Sequence, residues 1–231
     1  MEVIHTKPLH KAGNGRRVFL TLHERLVKSK GDKEIPYYFV GRGEDVPTHE
    51  EKRPDAVVVV AFLDAVTGVP ADSCPAGSFP QVETPRKLIV TSEFRIPIGV
   101  CELGFPAGII DPSDYEGGAS IEDAAYRAAT RELKEETGYD FVPLHSSPAN
   151  LYSSAGLTNE SVIFVFGNAT GEPSTEGNEE LEEIEVMAVS HEELIALMDA
   201  PKPEWAWSKT SWPLFWGFEM MGHFPIFAPE S

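Results

Sequence analysis

Three glutamates, Glu132, Glu135 and Glu136, crowd the last turn and a half of a stretch, residues 120–139, that otherwise reads as one helix. Spacings of three and four put Glu132 beside both of the others on a single helical face. A helix C-terminus already carries partial negative charge and favours cations, and Lys134 is the lone base among the three acids. Something must offset that cost. Clustered carboxylate oxygens of this kind suit a hard divalent cation. Arg131 stands directly before them, and its planar fork of donors is suited to orienting carboxylates. A solvated acidic face is the alternative. The small-residue surface beside the acids favours the site reading.

The helix that carries these residues is well delimited. Ser120 with Asp123 three positions on reads as an N-cap with a reciprocal acidic partner, and Gly138 is a left-handed stop. Ala124, Ala125, Ala128, Ala129 and Leu133 give the apolar face, over about four turns. Upstream, Pro106-Ala107-Gly108 forms a turn.

Arg131-Glu132-Leu133-Lys134-Glu135-Glu136-Thr137-Gly138-Tyr139 resembles the core of the Nudix box, REUxEExGU with U aliphatic or aromatic, which marks hydrolases of nucleoside diphosphates linked to another moiety. The box opens upstream with a Gly, best matched by Gly108, and a Glu. In the family about fourteen positions separate that Gly from the Arg; here they are 23 apart (131 − 108). The extra length is expected partly as a loop at 112–118 and partly as an added helical turn. The opening Glu, which chiefly braces the Arg in the family, is matched either by Asp123, by its spacing from Arg131, or by no residue, since the alignment of GASIEDAA puts Ala119 there.

The resemblance implies an α/β fold, a Nudix-type α/β/α sandwich with a mixed β-sheet, preceded by a small N-terminal antiparallel β unit. Residues 1–54 are expected to form that unit and 55–231 the hydrolase domain. In the unit, 18–26 and 36–40 are strand-like runs joined by the polar segment 28–34. A comparable sheet takes part in dimerisation in the ADP-sugar pyrophosphatase branch, so a homodimer is implied; a simple edge hairpin is the alternative. Residues 55–64 then read as a buried strand and 87–94 as a second, with a Pro/Gly/Ser-rich loop, 67–85, between them. That loop is long enough to be a lid or an insertion.

The order VVxxF, EFRxP and E-x-x-x-PAG is similar to the same branch and points to substrate contacts by Arg95 and Glu102. Arg95 would grip a phosphate or ribose, or else form an ion pair at a strand end. Glu102 would hold a ribose or a metal-bound water, although Gly104 shifts its register. Glu160, after Ala155-Gly156, reads either as a substrate or metal contact or as a solvated strand-end acid. In the acidic run 175–185 the resemblance implies a glutamate that activates water: Glu182 first, with Glu180 and Glu183 behind it. The alternative is a solvated loop. Ala107 would lend its carbonyl to the metal, with Glu132, Glu135 and Glu136; Mg²⁺ is the implied ion and Mn²⁺ its substitute. Arg131 joins the catalytic set.

The remaining features bound these readings. The chain carries 37 acidic and 19 basic side chains, a net charge of −18, which repels polymeric nucleic acid but leaves room for a small anionic substrate beside a metal. No apolar run approaches bilayer length, the longest being 56–63, so no membrane partner is expected. Two cysteines, Cys74 and Cys101, give no disulfide framework, and the first residues lack a charged-then-apolar leader; a cytoplasmic enzyme is expected. Ser190 caps a further amphipathic helix, and all four tryptophans, Trp205, Trp207, Trp212 and Trp216, are read as core. The expected substrate is a nucleoside diphosphate derivative, ADP-ribose or an ADP-sugar foremost. Other Nudix specificities and a non-catalytic nucleotide-sugar sensor are the competing readings, and retention of the three box glutamates favours an enzyme.

Overall fold

In a computed structural model of the chain the described residues are 2–13, 18–42, 44–63, 86–174 and 183–225. They fall into two compact units: Met1–Ala56 with Pro148–Ile163, and Val57–Ser147 with Phe164–Ser231.

The first unit is built on a three-stranded antiparallel sheet, β1 (Glu2–Gly13), β2 (Val18–Lys28) and β3 (Glu34–Arg42), in the order β1-β2-β3. β2 and β3 extend the two expected runs by a few residues. They are joined by a tight turn in which Asp32 takes a left-handed backbone, φ +57°, and donates its N–H to the Ser29 carbonyl at 3.1 Å. β1 is polar and almost wholly exposed. Its sequence carries no burial pattern, and pairing with β2 makes it a strand, with Lys7 opposite Glu24 and ion-paired to it at 2.7 Å.

Residues 148–163 add to this sheet's end. Val40 N–H donates to the Leu157 carbonyl at 2.9 Å, Tyr37 Oη donates to the Gly156 carbonyl, and Arg42 pairs with Glu160 at 2.7 Å. β9 (Leu151–Tyr152) pairs with the first residues of β10 (Ser161–Thr170). Asp55 and Ser161 exchange hydrogen bonds, 2.8 and 2.9 Å, and Lys52 is buried against the Asp55 carboxylate.

The second unit carries a mixed sheet in the order β12-β6-β5-β4-β10-β8, with β11 beside β5 and β7 beside β4. Its strands are β4 (Ala56–Leu63), β5 (Lys87–Arg95), β6 (Val100–Gly104), β7 (Ala107–Ile109), β8 (Asp140–Ser146), β10, β11 (Ile184–Val189) and β12 (Trp205–Trp207). Val57 through Phe62 are all buried, so β4 is covered on both faces, as its unbroken apolar run predicts. The β12–β6 pair is parallel and its neighbours are antiparallel.

Three helices pack on this frame: α1 (Ile121–Thr137), α2 (His191–Asp199) and α3 (Trp212–Met221). α1 has the expected ends. Ser120 Oγ accepts from Asp123 N, the Asp123 carboxylate accepts from Ser120 N, and Gly138 closes the helix at φ +77°. A side chain at Gly138 would collide with the Ser174 backbone, so the position needs glycine twice over. Ala124, Ala125, Ala128, Ala129 and Leu133 are fully buried.

The tryptophans depart from the expectation. Phe215 and Phe218 of α3 are the buried aromatics, stacked edge-on with Phe105 and Phe62, whereas Trp212 and Trp216 are exposed and Trp205 and Trp207 half-buried. On a one-sided helix the phenylalanines occupy the inward stripe and leave the larger indoles outside. The expected loop 67–85 lies outside the described residues. Among the described residues no helix is long and apolar enough to cross a membrane.

His23 of β2 is buried and stacked on Phe39, 5.2 Å between ring centres, with neither ring nitrogen bonded among the described residues. Burial, then the charge of Arg25, holds its pKa below the ordinary imidazole value of 6.5. The unfolded chain therefore binds this proton at a pH where the folded one refuses it, and stability present above about pH 6.5 falls as the pH drops below it. The slope is at most about 1.4 kcal/mol per pH unit. Urea unfolding of the protein and of His23→Leu at pH 7.5 and 5.5 checks this: the loss between the two pH values is expected to be smaller in the variant, and equal losses would show that His23 does not titrate.

Candidate active site

α1 places its acidic end against Pro106-Ala107-Gly108, where the expected turn is instead the start of strand β7, which runs beside β4, with Val59 N–H donating to the Pro106 carbonyl at 2.8 Å. Glu136 is buried and its carboxylate accepts from Ala107 N at 3.3 Å. Glu132 lies on Gly108 so closely that a Cβ there would stand 1.9 Å from the Glu132 carboxyl carbon. The glycine is thus the cradle of that carboxylate. Glu135, half-exposed, turns toward Arg131 instead, 3.3 Å away.

Arg131 ties the helix to the strand before it. Nη1 donates to Glu132 at 2.6 Å and to Glu135; Nη2 donates to the Ile109 carbonyl at 2.9 Å and to Asp114 at 3.4 Å, with Asp111 3.7 Å away. Burial works against the guanidinium charge, but Glu132 and then Asp114 outweigh it and raise the pKa further above its ordinary value. Lys134 answers the helix dipole in part: its Nζ donates to the Gly138 carbonyl at 2.9 Å and pairs with Asp140 at 2.8 Å.

Asp114 is the residue that reading the sequence missed. It sits in the segment Pro112–Gly118, which folds as a 3₁₀ turn, and its carboxylate is buried. Asp123, the candidate by spacing from Arg131, is instead the capping partner of Ser120, eight residues and about 12 Å along the axis from Arg131. Counting from the other end would have found the acid. If the family's Gly and Arg lie about fourteen apart and its Glu eight before the Arg, that Glu falls six after the Gly, and 108 + 6 is Asp114.

Arg95 and Glu102 come together at the end of β5 and β6. Glu93 and Glu102 are direct cross-strand partners, and Arg95 bridges them, 2.6 Å to Glu93 and 3.2 Å to Glu102. Two like charges in register need such a cation. Glu183 stands just before β11, and its carbonyl accepts from Phe94 N, so the end of the acidic run is fastened beside Arg95. Glu180 and Glu182 lie outside the described residues. Glu160 belongs to the first unit, in the ion pair with Arg42.

As the side chains stand, no three Asp, Glu, His or Cys groups among the described residues converge as a cation site. The donor chemistry nonetheless fits a hard divalent ion. Two carboxylates, Glu132 and Glu136, are already gathered on residues 107 and 108, and the third, Glu135, stands in an exposed ion pair with Arg131.

Fold and site together define an α/β protein in which an acidic helix end is pinned to the start of β7, at Ala107 and Gly108. The NUDIX domain matches residues 76–212, more than half of the chain, and the chain belongs to that family. It is 38% identical over 82 residues to the ADP-ribose pyrophosphatase of Saccharomyces cerevisiae, covering 35% of this chain and 31% of that protein. It is 31% identical over 121 residues to an uncharacterised Nudix hydrolase of Schizosaccharomyces pombe, covering 52% of this chain and 46% of that one, and 32% identical over 114 residues to the putative Nudix hydrolase 2 of Caenorhabditis elegans, covering 47% of each. The chain thus matches less than half the length of these relatives. Its fold is similar to a crystal structure of an ADP compounds hydrolase, TM-score 0.57 over 96% of both chains at 16% identity.

Gly108→Ala tests the cradle. The new methyl meets the far end of a flexible side chain, so the fold should survive with a thermal midpoint within a few degrees, while the displaced Glu132 weakens Mn²⁺ binding tenfold or more. Calorimetric titration with Mn²⁺ reads this directly; unchanged affinity would remove Glu132 from the metal set.

Proposed function

We propose that the protein hydrolyses the diphosphate bond of a nucleoside diphosphate linked to another moiety, ADP-ribose or an ADP-sugar, giving AMP and a sugar phosphate, with Mg²⁺ as cofactor and Mn²⁺ as its substitute. The observation that carries this reading is the gathering of Glu132 and Glu136 on Ala107 and Gly108 under the grip of Arg131. The names of the S. cerevisiae relative and of the structural neighbour support the adenosine diphosphate substrate class.

Glu132, Glu135, Glu136 and the Ala107 carbonyl would hold the metal. Bound divalent ions neutralise diphosphate charge and lower the pKa of an attacking water. The chain's own groups do the rest. Arg131 fixes the carboxylates in place. Arg95, 41% exposed on its side chain, exchanges a glutamate partner for substrate phosphate or ribose, and Glu102 accepts from a ribose hydroxyl. A glutamate of the acidic run, Glu182 first and Glu180 or Glu183 behind it, takes the water's proton. Glu160 is assigned to substrate only if it leaves Arg42. In the first unit the exposed apolar residues of the sheet, including Leu20, Leu22, Ile35 and Tyr37, support a role for it in a homodimer.

A panel of nucleoside diphosphate derivatives with Mg²⁺, read by released monophosphate, tests the function. ADP-ribose is expected to be cleaved well above other compounds, and a chelator should abolish turnover. Glu136→Gln keeps the side chain's shape and removes its charge; kcat should drop by two or more orders of magnitude with the circular dichroism spectrum intact. Tight binding of ADP-ribose with no turnover by the unaltered protein would replace the enzyme with a sensor.

A further inference from the structure

The 3₁₀ segment Pro112–Gly118 and α1 are bound to each other by a residue outside the box core. Arg127, one turn before Arg131 on the same face, donates through Nη1 to the carbonyls of Asp114 at 3.1 Å and Glu116 at 3.0 Å. The second of these carbonyls lies at the kink where Glu116 and Gly117 leave helical backbone, Gly117 at φ +75°, and the first lies just before it. Within the segment Asp114 Oδ2 accepts from Asp111 N at 2.9 Å, which fixes the carboxylate beside Arg131 Nη2. Arg131 then holds Glu132 at 2.6 Å. The links made by Arg127 and Arg131 come from rigid guanidinium planes, which lose little rotamer freedom per bond formed, and the backbone amide of Asp111 supplies the other.

We propose that Arg127 is a positioning residue: it holds the segment 112–118 so that Asp114, standing six after Gly108 where the family has the acid that braces the box Arg, keeps its contact with Arg131 and Arg131 its grip on Glu132. The geometric part stands by itself; its consequence for metal and substrate rests on the function proposed above. The two are tested separately.

Hindered rotation of the Arg131 guanidinium is read from its side-chain ¹⁵N NMR resonances, assigned by their loss in Arg131→Lys. In Asp114→Asn and Arg127→Ala the resolved Nη signals should collapse to an average. Mn²⁺ affinity without substrate, followed by electron paramagnetic resonance of the free ion, should weaken about tenfold, in the range usual for residues that support metal ligands. With ADP-ribose, kcat should fall while KM changes less than twofold. If Arg127→Ala does not fold, Arg127→Lys, which keeps the charge and loses the fork, carries the same expectation.

Unchanged Arg131 signals in these variants would overturn the relay. Changed signals with unaltered Mn²⁺ affinity and kcat would overturn its positioning role and leave it a local brace. An unaltered protein that neither binds Mn²⁺ nor cleaves ADP-ribose would sink the proposed function, with the NMR measurement still deciding the relay.

Discussion

One guanidinium makes the acidic end of α1 tolerable. Asp111, Asp114, Glu132 and Glu135 all lie within 4 Å of the Arg131 nitrogens, so four carboxylates share one cation and leave an excess of three negative charges, at a helix terminus that is itself partly negative. Glu136 adds a fifth acid one turn on. Arg131 cannot neutralise such a set, but it fixes where the oxygens sit. Without it the buried carboxylates would be uncompensated, and breaking a buried pair costs about 3–5 kcal/mol, far more than an exposed pair contributes. Arg131 is about one-third exposed, so the true figure lies between these limits. The surplus charge is what a divalent cation would answer.

Glycine at 108 follows from the same constraint. The guanidinium draws Glu132 toward the strand, and only a residue without Cβ leaves room for the carboxylate there. The sequence signals for this were strong because they are local. Ser120 with Asp123 at one end and Gly138 at the other bound α1 by backbone hydrogen bonding that any reader of the chain can count. β4 was equally plain, since a strand covered on both faces has no polar alternation to confuse it.

What stayed hidden depends on partners distant in sequence. β1 exposes nearly every side chain and so has no apolar period; it exists because β2 offers an edge in register. Arg95 read equally well as a substrate contact or an ion pair, and the ion pair it makes depends on Glu93 and Glu102 being cross-strand neighbours, which no spacing reveals. The segment Pro148–Ile163 joins the N-terminal strands through bonds such as that of Val40 N–H to the Leu157 carbonyl, across more than a hundred positions. Asp114 was missed because distance was measured from Arg131 across an insertion, where a count from Gly108 crosses none.

That insertion sits where one would least expect tolerance, between the strand and the helix that together make the site. Chain entropy does not forbid it. Lengthening the connection from about fourteen to 23 positions raises the closure cost by only about half a kcal/mol. The harder requirement is geometric, because the carboxylate six residues after Gly108 must still reach Arg131. A floppy loop would lose that contact to solvent. Arg127, one turn before Arg131 on α1, reaches the carbonyls of Asp114 and Glu116 and holds the segment there. Each hydrogen bond to a charged group contributes about 1.5–3 kcal/mol before solvent screening, several times the entropic cost of the longer connection. Arg127 thereby ties the lengthened connection to α1 at the very residue on which Arg131 depends.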